Sequence, residues 1–249
     1  MKIDGITDVF FDLDHTLWDF DRNSALTFKK IFEINNLDVD LHHFISNYEP
    51  INLKYWKLYR EEQIGKQELR FVRLNETFEV IGFSVDENII NKLSEDYIAH
   101  LTSFNYLFDN TFEILNYLHP NYNLHIITNG FDEVQHKKLT NSNINQYFKT
   151  VTNSEMVGVK KPNPRIFNYA LTLAEANIKN SIMIGDSLEA DIIGADNLGI
   201  DTILFDYKNI YKDSGDFNEN INLSNAKSGV YILNVSDDLR TSTKKIIIE

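Results

Sequence analysis

Short apolar runs, each closed by polar or glycine residues, recur along the chain. Val9-Phe10-Phe11 leads into Asp12-Leu13-Asp14, and Leu124-His125-Ile126-Ile127 leads into Thr128-Asn129-Gly130. Ser181-Ile182-Met183-Ile184 leads into Gly185-Asp186-Ser187, and Thr202-Ile203-Leu204-Phe205 leads into Asp206. Consecutive apolar residues over such short lengths suit strands covered on both faces, as in a parallel sheet with helices on each side. Periodicity alone does not separate them from short buried helices, and the abrupt polar ends favour strands. Between them the spacing is helical. Leu188, Ile192 and Ala195 share one face, with Gly199 where a C-cap glycine belongs. Residues 131–142 and 163–176 read as further helices of the same series. The pattern predicts an α/β fold, a doubly wound, Rossmann-like parallel sheet whose ligands gather at the carboxyl ends of the strands.

One stretch breaks this rhythm. From Asp14 to Thr128 the chain runs far beyond the dozen or so residues that a parallel crossover needs. Inside it, Ala25-Phe28-Phe32, Phe71-Leu74-Phe78-Ile81 and Ile90-Leu93-Tyr97-Leu101 repeat at three- and four-residue steps, the mark of amphipathic helices. The expected organisation is a catalytic core of residues 1–17 and 105–249 and an inserted α-helical cap of residues 18–104, hinged near 17–22 and 102–108. The interval from Thr128 to Lys161 leaves no room for a second insertion. Residues 206–229, rich in Asn, Asp, Ser and Lys, read as loops before a last strand near 230–235.

Composition narrows the setting. The 249 residues include no cysteine, which excludes disulfide scaffolds, thiolate metal sites and cysteine nucleophiles together. The net charge of −13 repels nucleic-acid polymers and anionic membrane surfaces. No apolar run approaches a membrane span, and the N-terminal apolar stretch is broken by acids, unlike a signal peptide. A cytoplasmic location is expected, with a small molecule rather than a polymer or a membrane as partner.

Chemistry-bearing residues cluster at the predicted strand ends. Asp12 and Asp14, two apart, share a face at the end of a strand. One such carboxylate can attack phosphorus while its neighbour protonates the leaving oxygen; a lone Asp-X-Asp is also an ordinary solvated strand end. Thr128, Asn129 and the amides at Gly130 can cradle phosphate oxygens, and equally make a common strand-to-turn exit. Lys160 and Lys161 precede Pro162, so either can neutralise a transferring phosphoryl group; an isolated lysine pair is equally an ordinary solvated basic loop. Asp186, with Asp12 and the Asp14 carbonyl, offers an all-oxygen site of the kind that suits Mg²⁺. Asp191 fits either a role holding a lysine or a metal-bound water, or a helix-dipole acid.

Taken together and in this order, the four clusters make the chain similar to the haloacid dehalogenase superfamily of phosphotransferases. The matching motifs are Asp12-Leu13-Asp14-His15-Thr16, Thr128, Lys161 with Pro162, and Gly185-Asp186-Ser187 with Asp191. The resemblance implies a nucleophilic Asp12, acid/base Asp14, phosphate-binding Thr128 and Lys161, and Mg²⁺ on Asp12, Asp186 and the Asp14 carbonyl. A helical cap after the first motif marks subfamily I. Thr16-Leu17-Trp18-Asp19-Phe20, Tyr48 through Asn52 to Trp56, Gly65, Leu69-Arg70-Phe71 and residues 154–162 look like its pyrimidine 5′-nucleotidase branch. The implied reaction is Mg²⁺-dependent hydrolysis of a small phosphate ester, a pyrimidine nucleoside 5′-monophosphate, through an aspartyl-phosphate. Sugar-phosphate phosphatase or phosphomutase activity is the alternative. An acid at Asp14 and another at Asp186 disfavour carbon–halogen chemistry, and the complete set disfavours a non-catalytic binding protein. Trp18, Phe20, Tyr48 and Trp56 are open to two readings, a base-stacking surface or ordinary core.

Overall fold

The computed structural model describes residues 5–208, 210, 229–236 and 241–248. The chain divides into two compact units. The first comprises residues 1–17, 108–130 and 146–249, and the second comprises Trp18–Leu107 and Phe131–Asn145.

The first unit holds a five-stranded parallel sheet. Its strands are β1 (Asp8–Phe11), β2 (Asn123–Thr128), β3 (Phe148–Asn153), β4 (Ser181–Gly185) and β5 (Asp201–Leu204), in the order β3-β2-β1-β4-β5. Val9 is in register with Leu124 on one side and with Ile182 on the other, so β1 lies at the centre. Strand order reverses at β1, and the crevice beyond its carboxyl end is where a doubly wound sheet takes a ligand. One core face is built from Phe10, Ile127 and Met183 of the strands against Ile166, Phe167 and Ala170 of a helix over Pro164–Ala174. That helix begins with the Asn163 side chain accepting from the Arg165 amide at 3.0 Å, followed by proline at its first turn.

The expected strands are present, and β3 is an addition. The expected last strand falls in β6 (Gly229–Ser236), which pairs antiparallel with β7 (Thr241–Ile248). Of the loop expected over 206–229, residues 209 and 211–228 lie outside the described residues.

The second unit is helical: α1 (Phe20–Ile34), α2 (Leu41–Arg60), α3 (Lys66–Val80) and α4 (Glu87–His100). Asp19, Asp40 and Asp86 cap α1, α2 and α4 by accepting from the amides of Arg22, His43 and Ile89. Phe28 is the hub of the interior. Its ring centroid lies 4.8 Å from Phe44, 4.6 Å from Tyr48 and 4.7 Å from Tyr97, so one side chain ties α1 to α2 and α4. Trp18 and Tyr48 are fully enclosed in this unit and Phe20 nearly so. Trp56 packs on Tyr59 and Phe131.

The helix predicted over 131–142 forms over Asp132–Asn141 and is grouped with the helical unit rather than with the sheet unit. Phe131 and Val134 pack with Tyr59 and Leu69, which places 131–145 in the helical unit. The chain therefore passes between the units at four places, after residues 17, 107, 130 and 145, rather than at two.

A polar chain crosses the apolar sheet. His125 Nε2 lies 3.2 Å from Asp8 Oδ1, its Nδ1 lies 2.8 Å from Thr150 Oγ1, and its ring stacks on Phe10. Burial holds the imidazole below its ordinary value of 6.5, against the opposing pull of Asp8. The unfolded chain therefore takes up this proton first, and the His125 contribution to stability falls as pH drops below about 6.5. The difference in urea midpoint between the wild type and His125→Asn should shift against the wild type as pH falls through that range.

Candidate active site

Asp12 directly follows β1, Thr128 ends β2 and Asp186 directly follows β4, so sheet order alone brings three of the expected residues to one rim. The centre of the site is the Lys161 ammonium, 2 % exposed. It donates to Asp12 Oδ1 at 2.6 Å and to the Ile127 main-chain oxygen at 2.6 Å, and it pairs with Asp191 Oδ1 at 2.6 Å. Of the two lysines before Pro162, Lys161 is the one inside the cluster.

The lysine is held from behind. Asn129 Oδ1 accepts from the Lys161 amide at 2.7 Å, and Asn129 Nδ2 donates to the Lys161 carbonyl at 3.0 Å. Ser154 in turn donates to the Asn129 carbonyl at 3.2 Å. Asn129 is thus bound to main chain at both ends of its amide, a role its place in Thr-Asn-Gly does not reveal. Thr128 is buried and accepts from the Gly130 amide at 3.1 Å, which orients its hydroxyl within the turn.

Asp191 reaches the site through an irregular helix. Leu188–Ile193 forms a π-helical turn continued by a short α-helix over Gly194–Asp196, and Ser187 caps it by accepting from the Ala190 amide at 3.1 Å. The wider turn changes which residues face inward. Ala190, Asp191, Gly194 and Ala195 are buried, whereas the face expected from a 3.6-residue period was Leu188, Ile192 and Ala195. Gly199 adopts φ 80°, as its expected C-cap position requires. Asp191 Oδ2 accepts from the Ser187 amide at 3.1 Å. Gly185 makes that placement possible, because a Cβ there would sit 2.3 Å from Asp191 Oδ2.

Electrostatics follow from this crowding. Burial pushes Asp12 up to about 7; Lys161 pulls it down, while Asp191 and, more weakly, Asp14 push it further up. Burial, then repulsion from Asp191 and Asp12, hold Asp186 well above the usual carboxylate range. Burial opposes the Lys161 charge, but Asp12 and Asp191 outweigh it and keep the ammonium above its ordinary value. Asp14 is half-buried, and Asp186 Oδ1 accepts from the Thr16 hydroxyl at 3.5 Å.

Carboxylate oxygens of Asp12, Asp186 and Asp191 lie within 4.8 Å of one another. Two buried acids, Asp12 and Asp191, share one ammonium beside the half-buried Asp186, and every carboxylate donor is a hard oxygen. This donor set and its surplus of negative charge fit a divalent cation such as Mg²⁺.

Residues 9–205 match the family model described as haloacid dehalogenase-like hydrolase. The chain belongs to that family. The pyrimidine 5′-nucleotidase PynA of Streptococcus pneumoniae is 31% identical over 202 residues, covering 79% of this chain and 82% of PynA. The glyceraldehyde 3-phosphate phosphatase of Methanothermobacter thermautotrophicus is also 31% identical over 202 residues, covering 79% of this chain and 84% of the relative. The crystal structure of YfnB from Bacillus subtilis, solved bound to magnesium, superposes with a TM-score of 0.73 at 29% identity, over 80% of this chain and 88% of that one.

Residues 162–249 also match a model described as secretion system C-terminal sorting domain. Within that span, 162–205 contribute the helix Pro164–Ala174, the π-helical turn with its short helix, and strands β4 and β5 to the sheet-bearing unit. Any separate module is therefore confined to the residues after β5, which carry β6 and β7. Among the described residues no helix is long and apolar enough to cross a membrane.

Replacing Gly185 with alanine should force Asp191 away from Ser187 and Lys161. We expect a loss of about 1–3 kcal/mol in urea unfolding, together with impaired activity. Ser187→Ala, which leaves the Ser187 amide in place, should cost less.

Proposed function

We propose that this hydrolase is a Mg²⁺-dependent phosphomonoesterase acting on pyrimidine nucleoside 5′-monophosphates. The observation that carries the reading is the Lys161 ammonium 2.6 Å from the Asp12 carboxylate at the switch point of the sheet. An ammonium there favours the ionised form of a carboxylate that burial disfavours, and opposes the charge of an incoming phosphoryl group.

Asp12 attacks phosphorus, and the bond from phosphorus to the ester oxygen breaks. Asp14, protonated, gives its proton to that departing oxygen and the alcohol leaves. The product on the protein is an aspartyl-phosphate. Asp14, now ionised, takes a proton from water, which attacks the phosphorus, releases phosphate and restores the Asp12 carboxylate. Thr128 and the turn that follows it bind the phosphoryl oxygens. Asn129 acts through Lys161, whose main chain it fixes, and Asp191 holds the ammonium in place. The carboxylates of Asp12 and Asp186 and the main-chain carbonyl of Asp14 would hold Mg²⁺, which supplies positive charge to both the acids and the phosphate.

The helical unit, Trp18–Leu107 with Phe131–Asn145, would serve as the cap that selects the alcohol part of the substrate. Likeness to PynA supports a pyrimidine nucleotide, and equal identity to a glyceraldehyde 3-phosphate phosphatase supports a triose phosphate as the second reading. A panel of UMP, dUMP, dTMP, glyceraldehyde 3-phosphate and p-nitrophenyl phosphate, with and without Mg²⁺, separates them. We expect Mg²⁺-dependent phosphate release, fastest from a pyrimidine nucleotide. No release from any ester would overturn the assignment. Asp12→Asn should abolish turnover with the fold intact, and Asp14→Asn should lower it about 10²–10⁴-fold.

Protons that neutralise Asp12 and Asp186 compete with the cation. Mg²⁺ should therefore raise the thermal midpoint more at about pH 8 than at about pH 6, which scanning calorimetry can read.

A cytoplasmic location is the first reading of the setting, because nucleoside monophosphates are made there. Likeness of 162–249 to a sorting domain favours an exported one. Immunoblots of cell fractions, for the full chain and for a chain ending at Asp206, distinguish them. Retention of both forms in the cytoplasm supports the first reading, and tail-dependent release supports the second.

A further inference from the structure

The turn that carries Asp14 is held from an unexpected side. Within Asp12-Leu13-Asp14-His15-Thr16, the Leu13 carbonyl accepts from the amides of Thr16 at 3.4 Å and Leu17 at 3.0 Å, closing a tight turn. His15 sits in that turn at φ 62°, the left-handed region that side chains other than glycine enter at a cost of roughly 1–2 kcal/mol. A residue so placed persists only where its surroundings restrain it.

The restraint comes from beyond β5. The Tyr207 phenol lies 2.7 Å from His15 Nδ1, and the two rings run nearly parallel, 5.6 Å between centroids at 17°. Tyr207 is itself braced, with Phe108 at 5.1 Å and Phe205 at 6.0 Å. Phe108 returns to the same turn, since its amide donates to the Leu17 carbonyl at 3.0 Å. A closed circuit therefore runs from His15 through Tyr207 and Phe108 to Leu17. Tyr207 lies outside the residues, 9–205, that match the family model.

We propose that Tyr207, through its hydrogen bond to His15, is a positioning residue that fixes the Asp12–Thr16 turn and so aims the Asp14 carboxyl at the leaving oxygen. This rests on the phosphomonoesterase reading above. Asp14 immediately precedes the restrained histidine, so rotation of that backbone moves the carboxyl directly. A displacement of about an ångström at a proton donor can cost about 10²-fold in rate.

Leaving-group dependence isolates this role. An alkyl ester needs its departing oxygen protonated, whereas p-nitrophenolate leaves without help. The ratio kcat/KM reports the steps up to loss of the alcohol, whatever the rate of aspartyl-phosphate hydrolysis. We expect Tyr207→Phe, in the full chain with Mg²⁺, to lower kcat/KM at least about tenfold for the best alkyl ester of the panel. For p-nitrophenyl phosphate the loss should stay within about threefold. His15→Asn keeps a residue tolerant of the left-handed region while removing the imidazole, and should show the same selectivity. The double variant should be no worse than the poorer single one. Equal losses on both esters, no loss on either, or additive losses in the double variant would overturn the proposal while leaving the phosphomonoesterase reading intact. A wild-type enzyme that cleaves no alkyl ester would overturn that reading itself.

Discussion

An ammonium enclosed by two carboxylates and a peptide carbonyl is the interaction around which the sheet unit is arranged. Lys161 draws on three separate segments: Asp12 after β1, Ile127 and Asn129 at the end of β2 and in the turn that follows, and Asp191 in the π-helical turn after β4. Buried charges of this kind are tolerable only as a set, because removing one partner leaves another desolvated and uncompensated. The strand order β3-β2-β1-β4-β5 satisfies that demand by bringing the ends of β2, β1 and β4 side by side. Architecture and electrostatics thus require each other. The sheet gathers the charges, and the charges fix the loops that leave it.

Much of this was legible in the chain because the polar residues interrupt apolar runs abruptly. Asp12, Thr128 and Asp186 each stand at such a break, and parallel topology carries every break to the same rim. What stayed hidden has physical reasons. β3 sits at the edge of the sheet, and only its last residues, Thr152 and Asn153, are fully buried, so its sequence lacks an apolar run. The inward face around Asp191 depends on a π-helical turn, which a 3.6-residue period cannot foretell. The second function of Asn129, binding the Lys161 main chain at two points, leaves no trace in a Thr-Asn-Gly turn. The helix Asp132–Asn141 was readable as a helix but not by allegiance. An apolar face shows that a helix is covered, not what covers it.

Charge also reads differently once located. The net of −13 argues against polyanionic partners, yet the acids nearest the sheet rim are not a repulsive surface. They are concentrated around one lysine, in a donor set that fits a divalent cation, so under the proposed function an acidic protein would hold a doubly charged ester at a single point while its net charge repels polymers.

Four crossings between the units carry a consequence for how this protein can be rebuilt. An insertion joined at two points is a cassette and can be exchanged by cutting the chain twice. Here Phe131 enters the helical unit one residue after Gly130, and its ring lies in a cluster with Trp56 and Tyr59. The helical unit is therefore made of two non-adjacent pieces of chain. Transplanting a helical unit from a relative would require 18–107 and 131–145 to travel together, and the cut after Gly130 falls beside the turn that carries Thr128 and Asn129.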